Sequence, residues 1–404
     1  MIDYAKFDAE LMKRIEHTCK PFGFAYAIYE GATRKAHNEY GHRNKQKDTM
    51  TTHSVTEMDS MSKTVTAIAM LKLISRVPEV KSAYDAANTT SSGSPEWKTW
   101  RRKVNKYLDH KIARLLPPRS QSGIDWNTLP AAKTITVKRL LLHTSGLVDN
   151  GDDPPGVEHS LKQWTATTLT THYVKTNYDL FRYIIPVFAH KFIAPHPLLT
   201  EWDAWWHMPI VGPLLFEMLI GALYDVIVID DLMSIFPSNG RPSVQPWGHQ
   251  VQFANQPGTH FWDIMNDVGP WSTLCGSWGW KMSVDQFAKL IASVKSGAVM
   301  PKEYWALMTR SADIHTYGYA ISKSDSAFPN VKAGGAYYSH NGGDGADPDI
   351  GGQGFWLTWG PAAMCYRVNS PFEGSYGIPS PGAGDQTGRY LFQAVDTALS
   401  VSLT

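Results

Sequence analysis

The chain has 404 residues, with Lys+Arg 38 against Asp+Glu 37, a formal charge of +1, 43% hydrophobic and 19% charged residues. This balance excludes a disordered or fibrous chain and offers neither the basic surplus that would point to nucleic acid nor an acidic tail. The length suits one large domain with insertions, or two lobes sharing an interface. Cys19, Cys275 and Cys365 are odd in number and far apart, which gives no disulfide framework and no metal-ligand spacing.

The first residues, MIDYAKFDAELMKRIEHTCK, are polar and lack a signal peptide's apolar run, which favours a cytoplasmic location; a form stripped of a leader would read the same. Phe7, Leu11 and Ile15 recur at helical spacing and predict an amphipathic helix. FAYAIYEGATRKAHNEYGHRN reads as two strands joined around Gly31. A helix opens near Ser60 and continues through the apolar run TVTAIAML. From Pro78 to about Pro118 the chain is largely polar and broken by Gly and Pro, with TTSSGSPEW read as a loop.

Residues from about 134 to 233 are mostly helical in pattern. Within them Met208 to Asp230 is long and apolar enough to suggest a membrane span. Glu217 and Asp225 inside it are costly in lipid, and Pro209 and Pro213 interrupt it. The expectation is therefore a buried helix or an apolar contact surface, with no stable membrane insertion; this leaves a dimer open and fixes no oligomeric state. Residues 237–258 are turn-rich. WGWKMSVDQFAKLIASVKSG predicts a helix stopped by glycine. TYGYAIS, AYYSH, QGFWLTW and AAMCYRV read as strands, and GRYLFQAVDTALSV as a closing helix.

Strands at both ends and helices between them predict an α+β, two-lobed fold: an antiparallel sheet from the N- and C-terminal segments, flanked by helices, with an inserted helical lobe. The expected division is a single domain over 1–404, its sheet lobe about 1–75 and 260–404 and its helical lobe about 76–259.

The stretch DSMSKTVTAIAML holds Ser60 three residues ahead of Lys63. Residues at that spacing share a helix face. At a helix start the free backbone N–H groups and the positive end of the dipole suit a developing negative charge. A lysine followed by Val65, Ile68, Ala69 and Leu71 is partly desolvated, which favours its neutral form. A neutral amine can take the proton of a serine that is otherwise a weak nucleophile.

The blocks SMSKTVTAIAM and TITVKRLLLHTSGL resemble signatures of the serine β-lactamase, penicillin-binding-protein and class C-type esterase superfamily. The resemblance covers most of the chain, apart from insertions around 80–103 and 190–260. It implies Ser60 as nucleophile and Lys63 as its base. YVKTNYDLF is similar to the family's second motif, which implies a catalytic role for Tyr173; Lys175 stands where the family usually has Asn, a substrate-contacting position. YYSHNGGDG resembles the third, His-x-Gly motif: it implies His340 in the catalytic set, Asn341 and Gly342 on the substrate, and the amides of Ser60 and Gly343 as the oxyanion hole. His143 within HTSGL reads as a structural hydrogen-bonding residue, while His53, His159 and His249 show no ligand spacing.

The resemblance thus implies a serine hydrolase or acyltransferase that forms an acyl-enzyme on an ester, thioester or amide of a small molecule or peptide, with no metal or cofactor. The His-Asn-Gly motif and the aromatic load, Trp 15 and Tyr 18, favour an esterase or acyltransferase with an apolar acyl group. A D-amino-acid peptidase, a β-lactamase and a catalytically silent ligand-binding member remain alternatives.

Overall fold

The computed structural model of the chain describes residues 2–19, 21, 23–44, 46–116, 125–148, 159–164, 176–193, 247–248, 260–261, 277, 281–315, 317–323, 337–343, 350–351, 353–369 and 389–403. At its centre lies a sheet of β1 (Gly23–Glu30), β2 (Thr33–Gly41), β3 (Tyr338–Gly343), β4 (Gln353–Trp359) and β5 (Ala362–Val368). Its strand order is β2-β1-β5-β4-β3, with every neighbouring pair antiparallel. The N- and C-terminal segments therefore build one antiparallel sheet, as the sequence predicts. The longer helices are α1 (Tyr4–Arg14), α2 (Ser62–Arg76), α3 (Pro78–Ala87), α4 (Pro95–Leu108), α5 (Phe181–Phe192), α6 (Val284–Ser296), α7 (Lys302–His315) and α8 (Arg389–Ser402).

The sheet is covered on both faces because its interior strand β1 is apolar on both. Phe24, Tyr26 and Ile28 of β1 pack in one cluster with Phe7 and Leu11 of α1 and Val395 and Leu399 of α8. Ala25 and Ala27 face the other way, in a cluster with α2 and α6, and their small side chains let those helices lie close. Each large apolar side chain buried in these layers contributes about 1.5–3 kcal/mol. Helix α6 starts on a capping box between Ser283 and Gln286 and stops at Gly297, φ 90°, the glycine stop its sequence predicts.

Helix α2 is buried from Ser62 to Ile74, with apolar residues on every side, so it runs through the core rather than over it. A short 3₁₀ turn, Asp59–Met61, leads into it. The two-residue strands Thr56–Glu57 and Lys281–Met282 pair just ahead of that turn and of α6, fixing the approach of both segments.

Two elements differ from the sequence reading. The stretch from Pro78 onward is not broken by Pro78 and Pro95: it forms α3 and α4, and both prolines sit in the first turn, where a missing N–H costs nothing. Only the residues between Ala87 and Pro95 connect the two helices, and Pro95-Glu96-Trp97 belongs to α4. TYGYAIS is a tight turn rather than a strand. Gly318 N–H donates to Ile321 O at 2.7 Å, Ala320 takes φ 53°, and isolated bridges pair Tyr317 with Ser322 and Ser322 with Ser339. The apolar run Met208 to Asp230 lies outside the described residues. Among the described residues no helix is long and apolar enough to cross a membrane.

Candidate active site

Ser60 lies on the 3₁₀ turn and Lys63 on the first turn of α2, so the three-residue spacing brings them together without help from elsewhere in the chain. Lys63 Nζ donates to Ser60 Oγ at 2.8 Å and to the backbone carbonyl of Ser277 at 3.1 Å. Lys63 is buried and Ser60 partly exposed. In a neutral amine, one N–H given to Ser277 leaves the lone pair free to face Ser60, and the same short contact can then carry the serine proton in the reverse direction.

The start of α2 is clamped from the sheet side. Thr64 Oγ1 donates to Ala320 O at 3.0 Å and accepts from Trp356 Nε1 of β4 at 3.2 Å. Gly342 of β3 packs on the turn that carries Ser60: a Cβ there would stand 2.4 Å from Met58 O and 3.2 Å from the Asp59 Cβ. Glycine is required at this position by closeness alone.

His340 lies on edge strand β3, in register with Trp356. Its Nδ1–H donates to Asn341 O at 2.6 Å, which leaves Nε2 to accept from the Tyr317 hydroxyl at 3.0 Å. Burial, reinforced by the charge of Lys63 and only partly offset by the Asn341 carbonyl, pushes the imidazole pKa from 6.5 down to about 3. The ring is therefore neutral, in the Nδ1–H tautomer.

That shift has a consequence for stability. In the unfolded chain the histidine takes a proton near 6.5, whereas in the folded protein it does so only near 3. Between those values the unfolded state binds more protons, so stability falls as pH falls, by at most about 1.4 kcal/mol per unit from this group. The melting temperature of the wild type is expected to drop more between about pH 7 and about pH 5 than that of His340→Gln. Thermal unfolding at both pH values checks this; equal drops in the two proteins would contradict it.

The block HTSGL interlocks with Asn177 and Tyr178. Asn177 Nδ2 donates to His143 Nδ1 at 2.8 Å, Ser145 Oγ donates to Asn177 Oδ1, and Tyr178 donates to Leu141 O at 2.8 Å. His143 is thus a hydrogen-bonding residue of a buried knot. Its ring lies 5.1 Å from that of Tyr317, which links the knot to His340. Tyr173 and Lys175 lie outside the described residues, just ahead of the helical turn Thr176–Asp179 that carries Asn177. The structure brings Ser60 and Lys63 into contact and places His340, Asn341, Gly342 and Gly343 on one edge strand, whose Gly342 packs against Met58 and Asp59 just ahead of Ser60.

Sequence reasoning missed Ser277 and Trp356, which reach Lys63 and Thr64 from 214 and 292 residues away, and Tyr317, which lies 23 residues ahead of the His340 it meets; none has a motif spacing to betray it. The buried free thiols Cys19 and Cys365 lie in the core, and burial pushes the Cys19 thiol up to about 12, which leaves it inert. Among the described residues no group of three or more His, Cys, Asp or Glu could hold a metal ion.

A sheet closed by both chain ends, with a Ser-x-x-Lys turn on its edge, defines a class. The fold is that of the β-lactamase and penicillin-binding-protein superfamily, whose catalytic members are serine hydrolases. The β-lactamase family model matches residues 10–190. A D-amino acid amidase from Ochrobactrum anthropi SV3 is similar in structure at 15% identity, with 98% of this chain and 97% of that one covered and a TM-score of 0.58. A class C β-lactamase from Rhodobacter sphaeroides matches at 12% identity, 98% of each chain and a TM-score of 0.56. The octameric penicillin-binding protein homologue from Pyrococcus abyssi matches at 15% identity, over 98% of this chain and 78% of that one, with a TM-score of 0.57. No curated protein sequence matches the chain.

Proposed function

We propose that the protein is a serine esterase or acyltransferase of the class C-type branch, a single catalytic domain over 1–404 that works through an acyl-enzyme on Ser60. The observation that carries this reading is the 2.8 Å contact between Ser60 Oγ and a buried Lys63 whose Nζ is also tied to the Ser277 carbonyl. In the proposed cycle Ser60 Oγ attacks the acyl carbonyl while its proton passes to Lys63, or through Lys63 to Tyr173. The two act as one coupled pair. The amides of Ser60 and Gly343 hold the oxyanion. Collapse expels the alcohol, thiol or amine, which takes the proton back, and water or another nucleophile then releases the acyl group from Ser60. Lys175, Asn341 and Gly342 contact the substrate in this reading. Intact mass after treatment with a fluorophosphonate tests it: one adduct is expected on the wild type and none on Ser60→Ala. Absence of an adduct with either a fluorophosphonate or a β-lactam would leave a ligand-binding member of the fold.

The substrate class follows from His340. An imidazole with a pKa near 3 presents no positive charge at neutral pH. Charge-assisted hydrogen bonds are roughly twice as strong as neutral ones, so an anionic substrate gains less here than it would from a lysine. A neutral ester such as p-nitrophenyl butyrate is expected to exceed a cephalosporin in kcat/KM by about tenfold or more. Efficient cephalosporin hydrolysis would replace the esterase reading by the β-lactamase one. The likeness to the D-amino acid amidase supports a second reading, an amidase or peptidase acting on D-amino acid amides. Release of ammonia from such amides, faster than ester turnover, would favour it.

A further inference from the structure

Asp59 immediately precedes Ser60, is wholly buried, and takes φ 44°, a left-handed conformation uncommon for a residue with a side chain. Such a conformation persists only when its surroundings over-determine it. The surroundings here come from the far end of the chain: Arg367 of β5, itself 2% exposed, donates through Nη1 to Asp59 Oδ2. Arg367 cannot reach the turn unless the sheet makes way. It stands in register with Gly354 of β4, and Gly354 in register with Gly342 of β3. The row running outward from Arg367 is thus two glycines. A Cβ on Gly354 would lie 3.2 Å from both Cδ and Nη1 of Arg367 and 2.4 Å from the Met61 Cε. A Cβ on Gly342 would meet Asp59 at 3.2 Å. The guanidinium therefore lies in a trench across two strands and emerges against the carboxylate of the residue that sets the nucleophile's backbone.

We propose that Asp59 and Arg367 are positioning residues: their buried pair, threaded over Gly354 and Gly342, locks the Ser60 turn onto the strand that carries Gly343 and so fixes the distance between the nucleophile and the second oxyanion donor. The inference rests on Ser60 being the nucleophile. Releasing the pair lets the Asp59 backbone relax and shifts Ser60 relative to Lys63 and Gly343, and a displacement of about 1 Å costs on the order of 100-fold in rate. Substrate binding, which depends on the cleft rather than on the turn, is little affected.

The test compares the wild type with the double variant Asp59→Asn/Arg367→Gln, which removes both charges together, and with Arg367→Lys, which keeps both but loses the planar fork. Active sites are titrated with a fluorophosphonate, and kcat and KM for p-nitrophenyl butyrate are expressed per labelled site, so that a merely lowered folded fraction does not register. The expected result is a per-site kcat about 100-fold down in the double variant at little-changed KM, with Arg367→Lys between it and the wild type. Wild-type kcat per labelled site in the double variant overturns the proposal. If the double variant does not fold, Arg367→Lys decides alone: an unchanged per-site kcat overturns the proposal, and a loss of about tenfold or more at constant KM supports it. Failure of the wild type to label at all would overturn the Ser60 nucleophile and this inference with it, whereas labelling with unaltered kinetics in the variants overturns this inference alone.

Discussion

Ser60→Ala is expected to lower turnover of a neutral ester by on the order of 10⁴-fold or more, since a covalent nucleophile and its base act as a unit and removal of either loses most of their joint effect. The hydroxyl is partly exposed and accepts from Lys63 Nζ, so its loss leaves the turn and helix α2 intact. Circular dichroism and melting should match the wild type while the mass adduct disappears. Turnover at the wild-type rate in a folded Ser60→Ala protein would remove Ser60 from the mechanism.

The second large effect is expected at Lys63. If the amine takes the serine proton, Lys63→Arg should be nearly as inactive as Lys63→Ala, both down about 10²–10⁴-fold. A guanidinium keeps the positive charge and donors for Ser277 O but cannot give up a proton at accessible pH. The comparison separates proton transfer from simple electrostatic support, which arginine would supply. Wild-type kcat/KM should also rise with pH as the pair loses a proton. An arginine variant within about tenfold of the wild type would mean that Lys63 contributes charge alone.

Much of this was legible because it is local. The Ser60–Lys63 pair follows from a three-residue spacing, and QGFWLTW and AAMCYRV coincide with β4 and β5 because short, largely apolar segments with aromatic residues lie between turn signals. The helices α3 and α4 were illegible for a different reason: Pro78 and Pro95 look like breakers until it is known that they stand first in a helix. Tyr317 reads as part of a strand, because Tyr-x-Tyr alternation carries no hint of the φ 53° turn at Ala320. Ser277, Trp356 and Arg367 act on the site only through tertiary approach. An arginine within an apolar strand is nevertheless a signal, since a buried charge must have a partner, and Asp59 is the acidic residue beside the nucleophile.

The interior place of β1, between β2 and β5, also governs when the site can exist. Its partner on one side, β2, follows at once, but its other partner, β5, is more than 300 residues downstream, as is the Arg367 that meets Asp59. At a synthesis rate of about 5–20 residues per second, β1 waits on the order of 15–60 s with one edge open. Through that interval Ser60 and Lys63 can be neighbours on a nascent helix, but neither Gly343 nor the trench beneath Asp59 has been made. The proposed site is thereby assembled only at the end of synthesis, and the cost is an apolar strand edge exposed to wrong pairing until β5 arrives.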